Sequence, residues 1–575
     1  MTTSRTTSEP APAAEPPEPP ETRRGRSRAS RLRALGRPNF AGLLLAVAGF
    51  GAALTPSLLP RPWLFEGVIA GLGAALGYGV GVLVSWLVRK TQVRTPRAEV
   101  RRWAWRGLAV VAPLAAVLFL LLGVRWQNDV RTLVGMPDEG LLTAFVVALV
   151  ALPVAVATVM LCRGLRRAAR WIARRVGRFV PAGVAAAIGA LAVALIIYTL
   201  VTGLLFTGFV SAMDTLYAGT NAGTAPGVTQ PLAPERSGSS ASTVAWDSLG
   251  IQGRSFVGRG PDAATLEQFS GRPAKTPIRV YVGLDSAPTA HERAEAAVRE
   301  LTRTGAFSRK VLVVAGSTGT GWLEPQATDS LEYEWNGDSA IVTIQYSYLP
   351  SWISTLVDVD RAREAGRELF DAVYATWSTL PEATRPKLLA YGLSLGSFSS
   401  QSAFTSAADI SARTQGAVFV GSPNFSEPWS TVVADRDAGS PEWQPVVDRG
   451  TTIRFAGVAG DLEKPAGPWD APRVAYLQHA NDPVVWWSPE LLNRRPDWLA
   501  EAPGAGRTPE MHWYPVLTFL QVTVDQFVGV SVPDGQGHNY GSTMPAAWAD
   551  VSQPPDWSDA DTARLTSLIA GYAIE

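Results

Sequence analysis

The sequence predicts two unlike parts in one chain: an N-terminal all-α membrane domain of about five transmembrane helices, then an α/β domain on a mostly parallel sheet. Three observations predict this. Five long apolar runs fall within the first 210 residues. Arginines cluster in every second loop between those runs. From about residue 245 onward, short apolar strand patterns alternate with amphipathic helical ones, as in a sheet covered by helices on both faces.

Composition agrees. At 575 residues, 47% hydrophobic and 18% charged, the chain is too long for one ordinary domain and poorer in charge than globular proteins. The single cysteine, Cys162, sits inside an apolar run, so a disulfide within the chain is excluded and a cysteine metal site is not expected. Four histidines, His291, His479, His512 and His538, leave little room for a histidine-rich metal site. No cofactor is expected. No acidic tail or basic arm points to nucleic acid, because the arginine clusters flank membrane spans.

In order, residues 1–38 begin with a stretch rich in Pro, Ala, Glu, Ser and Thr that cannot bury a core. It is expected to be a disordered cytoplasmic tail ending in an arginine-rich patch. The membrane domain is expected over 39–210, with apolar runs at about 40–59, 65–88, 107–124, 141–161 and 182–210. Each has room for the roughly 20 residues that cross the hydrocarbon core. The second run, GVIAGLGAALGYGVGVLV, is glycine-rich. Small residues at helical spacing permit close helix packing, although glycine is common in membrane helices generally. Arginines concentrate before the first run, between the second and third, and between the fourth and fifth. This positive-inside pattern makes the N-terminus cytoplasmic, and an odd number of spans puts everything after about residue 211 outside. The first run lacks a small-residue cleavage site and ends at Pro56 and Pro60, so it is expected to be a retained anchor.

Residues 211–244, rich in Gly, Thr, Pro and Ser near their centre, are expected to be a linker. The catalytic domain is expected over 245–575. Its strand candidates are 278–282, 311–315, 341–346, 387–391, 417–420, 452–458 and 474–478, with helical patterns at 291–304 and 360–380.

Chemistry centres on KLLAYGLSLGSFSS, residues 387–400. Gly-x-Ser-x-Gly between a strand and a helix is the nucleophile elbow of alpha/beta-hydrolases, with Ser394 at the tip. That fold needs an acid and then a histidine further along the chain. Asp482, in an Asn-Asp-Pro turn after the strand pattern VAYLQ, is the acid candidate, and Asp461 in GVAGDLEKP is its rival. His538, in the glycine-rich GQGHNYG, is the base candidate. His512 is the alternative, in an aromatic stretch that reads as packing, and His479 reads as a neighbour of the acid. An oxyanion hole takes one amide from the residue after the nucleophile, Leu395, and a second from an earlier strand-end loop. GSTGTG offers Ser317, Thr318, Gly319 and Thr320; a phosphate cradle is the competing reading, but the lysine of a P-loop is missing.

WDSLGIQGRSFV, GSTGTGW, YGLSLGS, QHANDPVVWW and GHNYG, following a multi-span N-terminal region, resemble the actinobacterial membrane-anchored alpha/beta-hydrolase family from about residue 39 to the end. The resemblance implies Ser394, Asp482 and His538 as a catalytic triad, on a domain joined to its own membrane domain. The expected activity is a serine hydrolase, esterase- or lipase-like, acting on an acyl ester. A domain tethered at the outer membrane face meets membrane lipids first, which makes a cell-envelope lipid the favoured substrate. Acyl transfer to another alcohol uses the same acyl-enzyme chemistry and is an alternative. A non-catalytic scaffold or lipid transporter with a degenerate hydrolase domain is another, although the spans carry almost no ionisable residue at mid-depth, which counts against an ion pathway. Trp486, Trp487, Trp498, Trp513 and Tyr514, between acid and base, read equally as a lid, a lipid-facing surface or core filler.

Overall fold

A computed structural model of the chain describes residues 2, 38–91, 97–458 and 460–572. The tail expected over residues 1–38 therefore lies almost wholly outside the described residues. The membrane part consists of α1 (Phe40–Ala53), α2 (Trp63–Lys90), α3 (Ala98–Leu133), α4 (Leu142–Val176) and α5 (Ala182–Asn221). Four of these, α2 to α5, are long and apolar enough to cross a membrane.

The fifth expected span differs. Helix α1 has 14 residues, about 21 Å at 1.5 Å per residue, against a hydrocarbon core of about 30 Å. Its apolar run continues to Leu59, but Leu58 and Leu59 are fully buried in the main hydrophobic core of the α/β domain rather than in a lipid-facing helix. Asp525 holds this connector, accepting from Ser57 Oγ at 2.9 Å and from the Leu58 amide at 3.0 Å. Burial pushes the Asp525 carboxyl up to about 6, opposed by Arg61 and these donors.

Helices α1 and α2 form a tight antiparallel hairpin. A Cβ at Gly77 would fall 2.0 Å from the Leu45 carbonyl oxygen, and one at Gly81 would fall 2.2 Å from that of Ala41. The glycines of the second run thus serve backbone-to-backbone contact. Asn39 caps α1 through the Gly42 amide and accepts from Ser85 near the end of α2. The start of α1, the end of α2 and the arginine-bearing end of α4 therefore share one end of the bundle, where Arg163 of α4 donates to Tyr78 of α2. The α/β domain packs on the other end: Leu517 lies against Ala53 and Ile69, and the Arg61 amide reaches Gln127 near the end of α3.

Helix α5 overshoots its expected end. Its 40 residues run about 60 Å, with a π-helical stretch at Thr199–Phe206. Residues 211–221, expected as linker, are its last three turns, and Asn221 accepts from Gln345 inside the α/β domain. Further along the expected linker, residues 236–239 are buried and Arg236 bridges Arg279 at the sheet edge, whereas most of 222–235 is exposed.

The sheet has seven strands, all parallel: β1 (Ile278–Val282), β2 (Val311–Gly316), β3 (Ser339–Ile344), β4 (Lys387–Leu393), β5 (Gly416–Val420), β6 (Ile453–Ala456) and β7 (Arg473–Leu477), in the order β1-β3-β2-β4-β5-β7-β6. Nearly every strand residue is buried, as both-face coverage by helices requires. Among the covering helices are α6 (Ala290–Thr304) and α8 (Val359–Ser378), with the short α7 (Ser351–Val357) before α8. The order puts β4 at the centre, flanked by β2 and β5, with β7 beyond. The carboxyl ends of these four neighbours carry the candidate site, where open parallel sheets place their ligands.

Candidate active site

Ser394 terminates β4 and caps α9 (Leu395–Gln401), with φ 57° and ψ −130°. A positive φ is rare for a residue with a side chain and marks stored backbone strain. The flanking glycines are required by close approach. A Cβ at Gly392 would stand 2.3 Å from the Gly396 carbonyl oxygen, and one at Gly396 would stand 2.4 Å from that of Gly316 on β2. The Ser394 amide donates to the Val420 carbonyl at 2.9 Å, tying the turn to the end of β5. Its side chain makes no bond back to its own helix.

Asp482 follows β7 and is fully buried. Its Oδ1 accepts from the Val484 amide at 2.8 Å, and its Oδ2 lies 2.7 Å from His538 Nδ1. The His538 ring rests on Gly421, immediately after β5: a Cβ there would come within 2.5 Å of the imidazole Cε1. The imidazole therefore stands at the strand end to which the Ser394 amide is bonded. Its Nε2 is buried and has no hydrogen-bond partner among the described residues. An imidazole fixed by a carboxylate at Nδ1 and open at Nε2 is set to take a proton from a neighbouring hydroxyl.

The loop after β2 reaches the same place. Gly316 of β2 pairs with Gly392 of β4. The amide of Leu395 opens α9, where helix amides lack partners within the helix. Among the four loop candidates, the Thr318 amide already donates to the Trp322 carbonyl. Ser317 uses its hydroxyl on the Ile344 carbonyl, and the Thr320 carbonyl accepts from Gln345. A Cβ at Gly319 would fall 2.3 Å from the Leu349 carbonyl oxygen, so this loop lies against the segment leading into α7.

The rivals lie elsewhere. The Asp461 carboxylate folds back to accept from the Gly457 and Val458 amides and meets Lys464 at 3.0 Å. It holds a turn. His512 is exposed and bonded to the Glu510 carbonyl. His479 is buried beside the acid, as its position in the sequence suggests: it stacks on Tyr540 with centroids 4.0 Å apart, and burial lowers its pKa.

Two residues escaped the sequence. Tyr540 donates its hydroxyl to Asp482 Oδ2 at 2.6 Å while accepting from the His479 amide. Burial and the Asp482 charge hold that hydroxyl protonated well above the ordinary tyrosine range. Asn481 accepts from the Gly537 amide at 3.0 Å, anchoring the histidine loop to the acid's turn. The only sequence signal was adjacency, Asn481 before the acid and Tyr540 two residues after the base.

The tryptophans between acid and base are mostly filler. Trp486 and Trp498 are buried and packed together, with Trp486 Nε1 bonded to the His479 carbonyl. The segment following them, α10 (Leu517–Asp525), is the platform on which α1 and α2 dock. Among the described residues, no group of three His, Cys, Asp or Glu side chains is placed to hold a metal ion.

A strained serine after the central strand, and a histidine–aspartate pair from later loops at the same sheet edge, define the class: an alpha/beta-hydrolase. Sequence-family models agree. One described as alpha/beta-hydrolase family matches residues 278–565, and one described as alpha/beta-hydrolase family N-terminus matches 54–261. The chain belongs to this alpha/beta-hydrolase family, membrane helices included. Searches of curated proteins and of solved structures return no match.

Proposed function

We propose that the protein is a membrane-anchored serine hydrolase that cleaves an acyl ester. The observation that carries this reading is the buried Asp482–His538 pair, with an unpartnered Nε2 at the strand end that also holds the elbow of Ser394. In this reading Ser394 Oγ attacks the acyl carbonyl while His538 Nε2 takes its proton. Asp482 steadies the imidazolium. The Leu395 amide and an amide of the 317–320 loop receive the developing oxyanion. The histidine then returns the proton to the leaving alcohol, and water attacks the acyl-enzyme by the same route.

Tyr540 gives this reading a further test. A hydrogen bond to a charged group contributes about 1.5–3 kcal/mol. Tyr540→Phe is therefore expected to lower kcat by roughly tenfold or more, with KM little changed. Steady-state kinetics on p-nitrophenyl butyrate checks this; an unaltered kcat would remove Tyr540 from the acid's support.

The substrate class we infer is an acyl lipid of the membrane. Phe65 of α2 stacks with Phe527, Phe527 meets Trp352 of α7 edge-on, and Trp352 packs against Phe209 of α5. Trp352 and Phe527 remain 42% and 48% exposed, so this aromatic bridge presents apolar surface at the seam between the helices and the α/β domain. Trp352 belongs to α7, whose Ser354 lies against Gly319 of the 317–320 loop, and Phe527 lies two residues before Gly529, whose carbonyl accepts from the His538 amide. Trp352→Ala with Phe527→Ala is expected to slow hydrolysis of a long-chain ester embedded in vesicles at least tenfold more than hydrolysis of p-nitrophenyl butyrate. Equal loss on both substrates would argue against access from the bilayer.

For orientation we propose a cytoplasmic N-terminus and an extracytoplasmic catalytic domain. Arginines concentrate at the bundle end opposite the α/β domain, as the positive-inside rule requires for that arrangement. A reporter active only outside the cytoplasm should work when fused after Glu575 and stay silent when fused after Arg102. The reverse pattern would invert the topology.

A further inference from the structure

Far from the catalytic edge, the bundle holds two cavities that share a wall. One, of about 670 Å³, lies among α1, α2, α3 and α4 and is almost wholly apolar, with Val47, Phe50, Pro113, Ala151 and Val156 on its walls. The other, of about 460 Å³, is basic. Tyr78 and Arg163 line both, so an apolar chamber and a cationic one meet at this pair.

The basic wall has a helical origin. Arg163, Arg166, Arg167 and Arg170 recur at i, i+3, i+4 and i+7 of α4, hence on one face. All four line the second cavity, opposite Asn39, Tyr78 and Val82. Arg163 is held there, donating to the Tyr78 hydroxyl at 2.7 Å with its guanidinium over the Tyr78 ring. The positive-inside rule accounts for arginines at this end of the bundle. It does not account for their being turned onto a cavity wall between helices. Among the described residues, no carboxylate pairs with Arg166 or Arg170.

We propose that this end of the bundle is a binding site for one anionic phospholipid. Its acyl chains fill the apolar cavity and its phosphate lies on Arg166 and Arg170 of α4. Guanidinium groups bind phosphate oxygens through paired N–H donors, and basic pockets between membrane helices hold anionic headgroups. An apolar chamber ending at a cationic wall fits the two halves of such a lipid. A soluble anion would leave the chamber unused, and a zwitterionic lipid would bring a quaternary ammonium against Arg166 and Arg170. This site is independent of the hydrolase reading.

The test uses the full chain in dodecyl maltoside, with native mass spectrometry to count and titrate bound lipid. Dipalmitoyl phosphatidylglycerol should bind as a single saturable adduct, at least tenfold tighter than dipalmitoyl phosphatidylcholine. Arg166→Gln with Arg170→Gln should weaken the glycerol lipid roughly 30-fold and leave the choline lipid unchanged. Ala155→Trp, which fills the apolar cavity without touching these arginines, should weaken both lipids. Circular dichroism and gel filtration identify the folded variants, and the comparison of the two lipids on the unsubstituted protein needs no variant. Equal affinity for the two lipids, or an arginine double variant that binds as before, would overturn the proposal. Full competition by millimolar inorganic phosphate would overturn it too, by showing a free-anion site.

Discussion

Ser394→Ala is expected to reduce hydrolysis of p-nitrophenyl butyrate on the order of a million-fold, leaving only the residual rate that binding and oxyanion stabilisation supply. Ser394 is the residue held at φ 57° where the central strand ends, and its amide is tied to the strand end on which His538 rests. Neighbouring hydroxyls are already engaged inside the core: Ser397 with Ser422, and Ser399 with the Ala362 carbonyl. The fold should survive, because alanine removes one oxygen and Ser394 makes no side-chain cap for α9. Turnover measured beside circular dichroism checks both points. Activity like that of the unsubstituted protein would remove Ser394 as nucleophile.

Asp482→Asn is expected to lower kcat by roughly 10⁴-fold with KM little changed. The Asp482 carboxylate is fully buried, and its oxygens accept from His538, Tyr540 and the Val484 amide. An asparagine side chain must turn a donor toward at least one of these partners. If it meets His538, the imidazole takes the tautomer whose proton sits on Nε2, which cannot accept from serine. Asp461→Asn should leave kcat within a few-fold, because Asp461 serves only its own turn and Lys464. If Asp461→Asn were the inactive variant, the acid would belong one strand earlier.

These two carboxylates show where the sequence stops informing. Each follows a strand of the same sheet, β6 for Asp461 and β7 for Asp482, and the sequence carries no strand order. Only the order β5-β7-β6 shows that Asp482 follows the strand beside β5, while Asp461 follows the edge strand. The elbow was legible because its determinants are local: a strand, two glycines forced by close approach, and a helix start. Tyr540 was not, since its role comes from meeting a carboxylate 58 positions away in the chain.

Apolar runs proved ambiguous for a similar reason. Residues 54–59 extend a hydrophobic run, and hydropathy does not distinguish a lipid environment from a protein core. The structure sends Leu58 and Leu59 into the α/β domain, where a Cβ on Gly537 would come within 3.2 Å of Leu59. Conversely, residues 211–221 look like linker by composition yet complete the longest helix. Both departures join the two parts. The membrane connector lies one residue from His538, and the last span ends against the segment after β3.

Covalent capture reads directly whether Ser394 is an activated nucleophile. The full chain is treated with a fluorophosphonate probe, digested and mapped by mass spectrometry. One adduct is expected, on the peptide carrying Ser394, formed by the unsubstituted protein and lost in His538→Ala, which keeps the serine but removes its base. An adduct on a different serine, or labelling of Ser394 that is equally fast without His538, would contradict that role.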